Sequence, residues 1–284
     1  MANPTQYHRP TSLDIAAALL RDHPEGLAIA GGGLTFSDAL LPYPTVIDLQ
    51  AIPEMNVFDY TEHGVLMGGS VMLSRLLEFP NLPDAIRRAL TRALPPNVRN
   101  NVSVGESLRQ RHHPMLWEWI AAAYAHDIGV EILDPATGER GWNDLIALIE
   151  SGEIDTGIIT AVDLPALAGD PPQALGSAHV ARTPTGEPIV NAAAFVILDD
   201  ERRVESVFTA LCGVSDQPLV SVGLPTLLGN PLDTANITSA VKSVALQLDP
   251  PGDYKGSSEY RREMARVCMQ RALVSCLEQL AVKA

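Results

Sequence analysis

A run of glycines follows a short apolar segment near the start of the chain. Residues 27–30 (Leu-Ala-Ile-Ala) are typical of a buried strand, and three glycines, residues 31–33, follow directly. Consecutive glycines expose backbone N–H groups that no side chain blocks, so such a loop can hold an anion such as a pyrophosphate. An ordinary turn after a strand has the same composition. The sequence therefore indicates a candidate anion-binding loop and leaves a simple turn as the alternative.

Other side chains with reactive groups are scattered along the chain. His112 and His113 are adjacent, and neighbouring residues of a strand or helix point apart, which disfavours a shared metal ion. Cys212, Cys268 and Cys276 form no C-x-x-C pair. We therefore expect no iron–sulfur or zinc site, and interpret the cysteines as small apolar core residues. We also find no paired acid and base, so we predict no catalytic residue.

Composition and charge exclude several classes of protein. The 284 residues carry 20 Lys and Arg against 34 Asp and Glu, a net charge of −14, which would repel phosphate backbones and anionic lipid. No apolar run approaches the roughly 20 residues that a membrane helix needs. The N-terminal residues lack the apolar core of a secretory signal. We therefore expect a cytoplasmic protein without a membrane span or a nucleic-acid partner.

The loop and its surroundings belong to a chain with three predicted segments. Ser12 precedes a helical pattern that starts at Leu13, and the strand before the glycines and a second strand at residues 46–49 complete a first α/β segment, residues 1–55. A second α/β segment covers residues 56–170, with helices near residues 83–94 and 115–125. Within it, residues 97–105 are too polar and interrupted for a helix.

A Gly- and Pro-rich stretch, residues 166–177, is predicted to connect the second segment to a third, residues 176–284. The third segment is predicted to contain two strands, residues 190–198 and 204–211, and two helices, residues 237–248 and 257–282. Trp117 and Trp119 in the second segment are predicted to pack in a core, with stacking on a ring-shaped ligand as the alternative.

Seven short stretches carry a resemblance along nearly the whole chain. In order, they are residues 7–13 with the Ala-Gly-Gly at 30–32, 46–55, 67–74, 152–165, 191–194, 210–214 and 256–262. Together they resemble the FAD-binding medium subunit of a molybdenum hydroxylase, the group that includes carbon monoxide dehydrogenase and xanthine dehydrogenase. The resemblance implies an α+β fold: a two-subdomain α/β FAD-binding region of the PCMH or vanillyl-alcohol-oxidase type, followed by an α+β C-terminal domain.

The resemblance also implies which residues hold the cofactor. Two loops of the family hold the FAD pyrophosphate through backbone amides, and a later position makes an apolar contact near the flavin ring. The second loop corresponds to residues 103–107, in which Glu106 replaces a glycine. The implied FAD-binding residues are Ala30, Gly31, Gly32, Gly33, Leu34, Ser103, Val104, Gly105, Ser107 and Leu164.

The sequence departs from the family at this implied site. Leu34 lacks the polar side chain usual after the Ala-Gly-Gly, and Glu106 places a negative side chain where backbone should meet a dianion. An aspartate that holds the ribose in the family has no counterpart between Glu106 and Glu118. These departures support an alternative, a degenerate, flavin-free subunit that serves as an assembly or docking scaffold. Arg109 and Arg111 could contact phosphate instead, or could lie in a solvated loop.

The resemblance finally implies a role and partners. A subunit of this kind performs no substrate chemistry of its own, because the flavin carries electrons from [2Fe–2S] clusters to an external acceptor. Molybdopterin and the clusters would lie only in partner subunits, a molybdopterin-binding large subunit and a [2Fe–2S] small subunit. We therefore expect a heterotrimer or a dimer of heterotrimers.

Overall fold

The computed structural model describes residues 4–32, 43–183 and 186–282; Gly33 and Leu34 lie outside these residues. The strands are β1 (Gln6–His8), β2 (Leu27–Ile29), β3 (Thr45–Asp48), β4 (Phe58–Tyr60), β5 (Gly64–Gly68), β6 (Gly129–Leu133), β7 (Arg140–Asp144), β8 (Ile158–Pro165), β9 (Gln173–Ala181), β10 (Pro188–Leu198) and β11 (Val204–Cys212). The helices are α1 (Leu13–Asp22), α2 (Leu73–Leu76), α3 (Asp84–Arg92), α4 (Pro96–Arg99), α5 (Val104–Arg109), α6 (Trp117–Ala125), α7 (Leu145–Ser151), α8 (Glu153–Thr156), α9 (Thr234–Ala240) and α10 (Ser258–Val282).

The chain divides into two compact units. The first consists of the segments Met1–Asn81, Pro95–Gln110 and Asp127–Ala166, and the second of Leu82–Leu94, Arg111–His126 and Leu167–Ala284. The second unit therefore includes α3 and α6, although both helices lie within the second predicted segment, residues 56–170. The three-part division into residues 1–55, 56–170 and 176–284 stays a prediction.

The described residues of the first unit form two sheets. One is parallel, in the order β1-β3-β2, and the other is antiparallel, in the order β4-β5-β8-β6-β7. Helix α1 begins after Ser12, whose hydroxyl accepts the N–H of Ile15 at 3.3 Å, as the sequence predicted. Its buried face, Leu13, Ala16 and Ala17, joins the core that includes Ile47 of β3. The parallel sheet carries the glycine loop at the end of β2.

The second unit is an antiparallel sheet, β11-β10-β9, with helices packed on it. The long helix α10 packs against β9 and β10, and α6 packs against β10 and β11. Cys268 and Cys276 of α10 and Cys212 of β11 are buried free thiols, in agreement with their interpretation as core residues. The two units together confirm the predicted α+β fold.

Two predictions about local structure are wrong in part. The chain passes from the first unit to the second between Ala166 and Leu167, inside the connection predicted at residues 166–177, but residues 173–177 belong to β9, which begins at Gln173. The strand pattern in the sequence is weak here because glycine is uncommon inside strands. Glycine is nevertheless required at position 176, since a Cβ there would lie 2.0 Å from the carbonyl oxygen of Ala272 in α10, which packs closely on this strand. Residues 97–105 are predicted to be non-helical, but they include most of α4 and the start of α5. Over the described residues, no helix is long and apolar enough to span a membrane.

Candidate functional site

The first loop leaves β2 in backbone conformations that favour glycine. Ala30 is buried, and Gly31 and Gly32 have φ values of +134° and +83°. A Cβ on Gly31 would lie 2.5 Å from the carbonyl oxygen of Asn101. The loop is therefore conformationally constrained. The positive φ angles disfavour other residues at both positions, and the close approach to Asn101 leaves no room for a side chain on Gly31.

The second predicted loop is the N-terminal turn of α5. The hydroxyl of Ser103 accepts the N–H of Glu106 at 3.1 Å and caps the helix. Residues 103–107 are all buried. Sequence reasoning described this segment as irregular because a helix of six residues shows too little periodicity to be recognised.

The backbone amides of this turn already have partners. The N–H of Val104 donates to the carbonyl of Val71 at 2.8 Å, and the N–H of Gly105 donates to the carbonyl of Gly69 at 2.9 Å. The N–H of Ser107 donates to the carbonyl of Ser103 at 2.9 Å. A Cβ on Gly105 would lie 2.9 Å from the Gly69 carbonyl oxygen, so glycine here serves the packing of α5 against the end of β5. These amides hold protein groups instead of pointing towards an open anion site.

Glu106 connects the two loops. Its Oε2 accepts the N–H of Gly32 at 2.9 Å, and its Oε1 accepts Nε2 of Gln110, one helical turn later, at 3.2 Å. The residue is only 8% exposed. The carboxylate therefore occupies the amide of the first loop that the resemblance assigns to a pyrophosphate. The sequence showed Glu106 as a departure, but gave no sign of this contact.

A cavity of about 480 Å³ adjoins both loops within the first unit. Its lining is mainly apolar, with Ala28 and Ile29 of β2, Met55, and Ile158 and Ile159 of β8. The side chains in its wall that carry polar groups are Tyr43, Glu106, Arg109, Gln110 and Asp155. Nη2 of Arg109 donates to the backbone carbonyl of Asp155 at 2.9 Å. The cavity could accommodate a ring system of a ligand, with Glu106 at its polar side.

A second cavity, of about 340 Å³, lies at the end of the parallel sheet and is lined in part by Tyr7, Gly31 and Asp48. The Tyr7 hydroxyl donates to Oδ2 of Asp48 at 2.5 Å, and Nε of Arg9 lies 3.6 Å from the same oxygen. The hydrogen bond to the carboxylate raises the pKa of Tyr7. Asp48 is therefore held by neighbouring side chains at the edge where this sheet meets the glycine loop.

Other predicted groups lie elsewhere. Leu164 is fully buried in β8, opposite Val65 of β5, and the lining of the larger cavity does not include it among the described residues. Of the two tryptophans predicted to pack in a core, Trp119 is buried in the second unit and Trp117 is partly buried. Nδ1 of His113 accepts the N–H of Met115 at 3.3 Å. No group of three metal-ligating side chains occurs among residues 4–32, 43–183 and 186–282.

The residues of the two loops do not fit a bound pyrophosphate in this arrangement. Gly32 already donates to a carboxylate, and the amides of the second loop are engaged with protein carbonyl and hydroxyl oxygens. A dianion placed between the loops would meet the negative charge of Glu106 instead of a set of available donors. At the first loop the misfit depends on the Glu106 side chain alone, because Gly31 and Gly32 keep the positive φ angles of an anion-binding turn.

Comparisons with known proteins agree along the chain. Residues 3–167 match the family described as FAD binding domain in molybdopterin dehydrogenase, and residues 181–276 match the CO dehydrogenase flavoprotein C-terminal domain. The glyceraldehyde dehydrogenase medium chain of Sulfolobus acidocaldarius is 23% identical, covering 94% of this chain and 96% of that one. The carbon monoxide dehydrogenase medium chain of Hydrogenophaga pseudoflava is 24% identical, covering 94% and 95%. A solved carbon monoxide dehydrogenase from the same organism, lacking the Mo-pyranopterin moiety, superposes with a TM-score of 0.79 at 19% identity, covering 98% and 99%.

Proposed function

The chain belongs to the family of FAD-binding medium subunits of molybdenum hydroxylases, and from this membership we propose that it is the medium subunit of a three-subunit oxidoreductase. The observation that carries the proposal is the order of the two family domains, an FAD-binding domain and then a flavoprotein C-terminal domain, over nearly the whole chain. The fold supports it, because the superposition with carbon monoxide dehydrogenase covers both chains almost completely.

The proposed partners are a molybdopterin-binding large subunit and a [2Fe–2S] small subunit. Both curated relatives are named as medium chains, which supports an assembly in which each chain is one of several. We propose a cytoplasmic heterotrimer, or a dimer of such heterotrimers. The chain itself would bind no molybdopterin and no iron–sulfur cluster.

Two roles within that complex are open to a medium subunit. The first is electron transfer, from the [2Fe–2S] clusters of the small subunit through FAD to an external acceptor. The second is assembly or docking without a resident flavin. The hydrogen bond between Glu106 and Gly32 favours the second role, since it occupies a donor that the first role requires. The presence of the FAD-binding domain favours the first.

Affinity purification of the tagged chain from its native host tests the proposal. We expect a molybdopterin-containing large chain and an iron–sulfur small chain to be recovered with it in equal amounts. Flavin absorption of the purified complex then separates the roles: one flavin per medium chain, reduced by substrate, supports electron transfer, and a flavin-free complex supports docking. A chain recovered alone and fully active on a small molecule would refute the proposal.

A further inference from the structure

We infer that the carboxylate of Glu106 takes the place of an anionic ligand at the amide of Gly32, between the two loops. As a result, this chain should bind ligands that carry a pyrophosphate more weakly than ligands that do not. The inference rests on the proposed function only in taking the two loops as a cofactor site. Beyond that function, it states which class of ligand the site accepts, because a side chain of the protein itself competes with the ligand phosphate.

The first step is the chemical match between carboxylate and phosphate. Both offer negatively charged oxygens to backbone N–H groups at a glycine turn. Gly32 donates to Oε2 of Glu106 at 2.9 Å, the length of a normal hydrogen bond to a charged acceptor. The two residues are 74 positions apart in sequence, so only the fold brings them together.

The second step is that the carboxylate is held in place. Glu106 is 8% exposed, so its charge requires donors, and it receives one from Gly32 and one from Gln110. Its own N–H is bonded to the hydroxyl of Ser103, which fixes the backbone from which the side chain projects. A hydrogen bond to a charged group is worth about ten- to hundredfold in an equilibrium constant, so a ligand must offset that amount before it gains the amide of Gly32.

The third step concerns what remains accessible. The cavity beside Glu106 keeps about 480 Å³ and a mainly apolar lining, which suits an uncharged ring. A ligand without phosphate does not compete with the Glu106 carboxylate for the N–H of Gly32. Glu106 should therefore weaken the binding of FAD and ADP while leaving the binding of adenosine nearly unchanged.

Ligand titrations of four full-length proteins test this. Glu106→Gln keeps the shape of the side chain and removes its charge, and Glu106→Gly removes both. Glu62→Gln is the matched control, because it makes the same change of charge in the same unit at a side chain that is 82% exposed. FAD binding is followed by flavin fluorescence, and ADP and adenosine binding by calorimetry. Thermal melting checks that each variant is folded.

We expect the wild-type protein and Glu62→Gln to bind FAD weakly and equally. Glu106→Gln should lower the Kd for FAD and ADP about tenfold. Glu106→Gly should lower it further, because no side chain then occupies the space next to the N–H of Gly32. The gain of Glu106→Gln should shrink in high salt, because it is electrostatic. The Kd for adenosine should change less than about twofold in every variant.

Three results would overturn the inference. They are equal affinities for FAD in all four proteins, no FAD binding by any of them, and an equal gain for ADP and adenosine. If Glu106→Gly does not fold, Glu106→Gln still decides the matter. None of these results touches the proposed medium-subunit function, which the recovery of partner chains tests separately.

Discussion

Arg261 offers a sharp test of how the second unit is held together. It lies in the first turn of α10, and its side chain is 6% exposed. Nη1 donates to the carbonyl oxygens of Ile189 at 2.7 Å and Gly213 at 2.8 Å, and Nη2 donates to Oδ1 of Asp253 at 2.7 Å. One guanidinium thus joins the start of β10, the turn after β11 and the loop before α10. Replacement by methionine keeps an unbranched side chain as far as the ε position but removes the rest of the guanidinium group and every donor.

The expected loss follows from these three contacts. A hydrogen bond from a charged group contributes about 1.5–3 kcal/mol, and two such bonds reach buried backbone carbonyls. The bond to Asp253 adds about 0–1 kcal/mol because that carboxylate is half-exposed. Arg261→Met should therefore lower the free energy of unfolding by about 3–7 kcal/mol, or the melting temperature by about 10–20 °C. The stability of Arg261→Lys should lie between those of the wild type and Arg261→Met, since a single ammonium group cannot reproduce the forked donor geometry of a guanidinium.

Urea titrations and calorimetry of the full chain measure this loss. The matched control is Arg266→Met, on the same helix, whose partners Glu263 and Gln270 lie on that helix and are reached at the surface. We expect the control to lose less than about 1 kcal/mol. If the two variants lose equal stability, or if Arg261→Met loses less than the control, the assignment of Arg261 as a tertiary link is wrong.

Three further predictions concern the second unit. Burial and the positive charges of Arg92 and Arg271 lower the pKa of His179 from 6.5 to about 4 and outweigh Oε2 of Glu118 at 3.4 Å. The unfolded chain therefore takes up the proton first, so stability should decline as the pH falls from 6.5 to about 4, and urea titrations of His179→Gln should lack this slope. Burial raises the pKa of the thiols of Cys268 and Cys276 to about 12 and raises that of Cys212 as well, so all three should resist a thiol reagent in the native protein and react after denaturation; rapid native labelling would contradict this. Gly176→Ala should cost about 1–3 kcal/mol because its Cβ would meet the Ala272 carbonyl, whereas Gly169→Ala, with no atom within 4 Å, should be neutral; equal melting temperatures would exclude the close packing.

Much of the fold could be predicted from local patterns. The apolar run before the glycines is β2, and the Ser12 cap starts α1, both as predicted. Strand β9 could not be predicted in the same way. Its packing depends on Gly176 facing Ala272 of α10, a contact between residues almost a hundred positions apart, and glycine carries no strand propensity of its own.

The sequence by itself determined the family and the order of its two domains. The assignment of two loops to a pyrophosphate, with Glu106 in place of a glycine, is a prediction from the resemblance. The sequence also determined the negative charge that a phosphate ligand would meet. Only the tertiary structure decided which group the Glu106 carboxylate contacts. Glu106 and Gly32 are 74 residues apart, and the capping bond from Ser103 sets the direction of the side chain, so the carboxylate reaches the amide of the first loop. The physical reason is that a hydrogen bond depends on distance and angle in space, which a linear pattern of residue types does not contain.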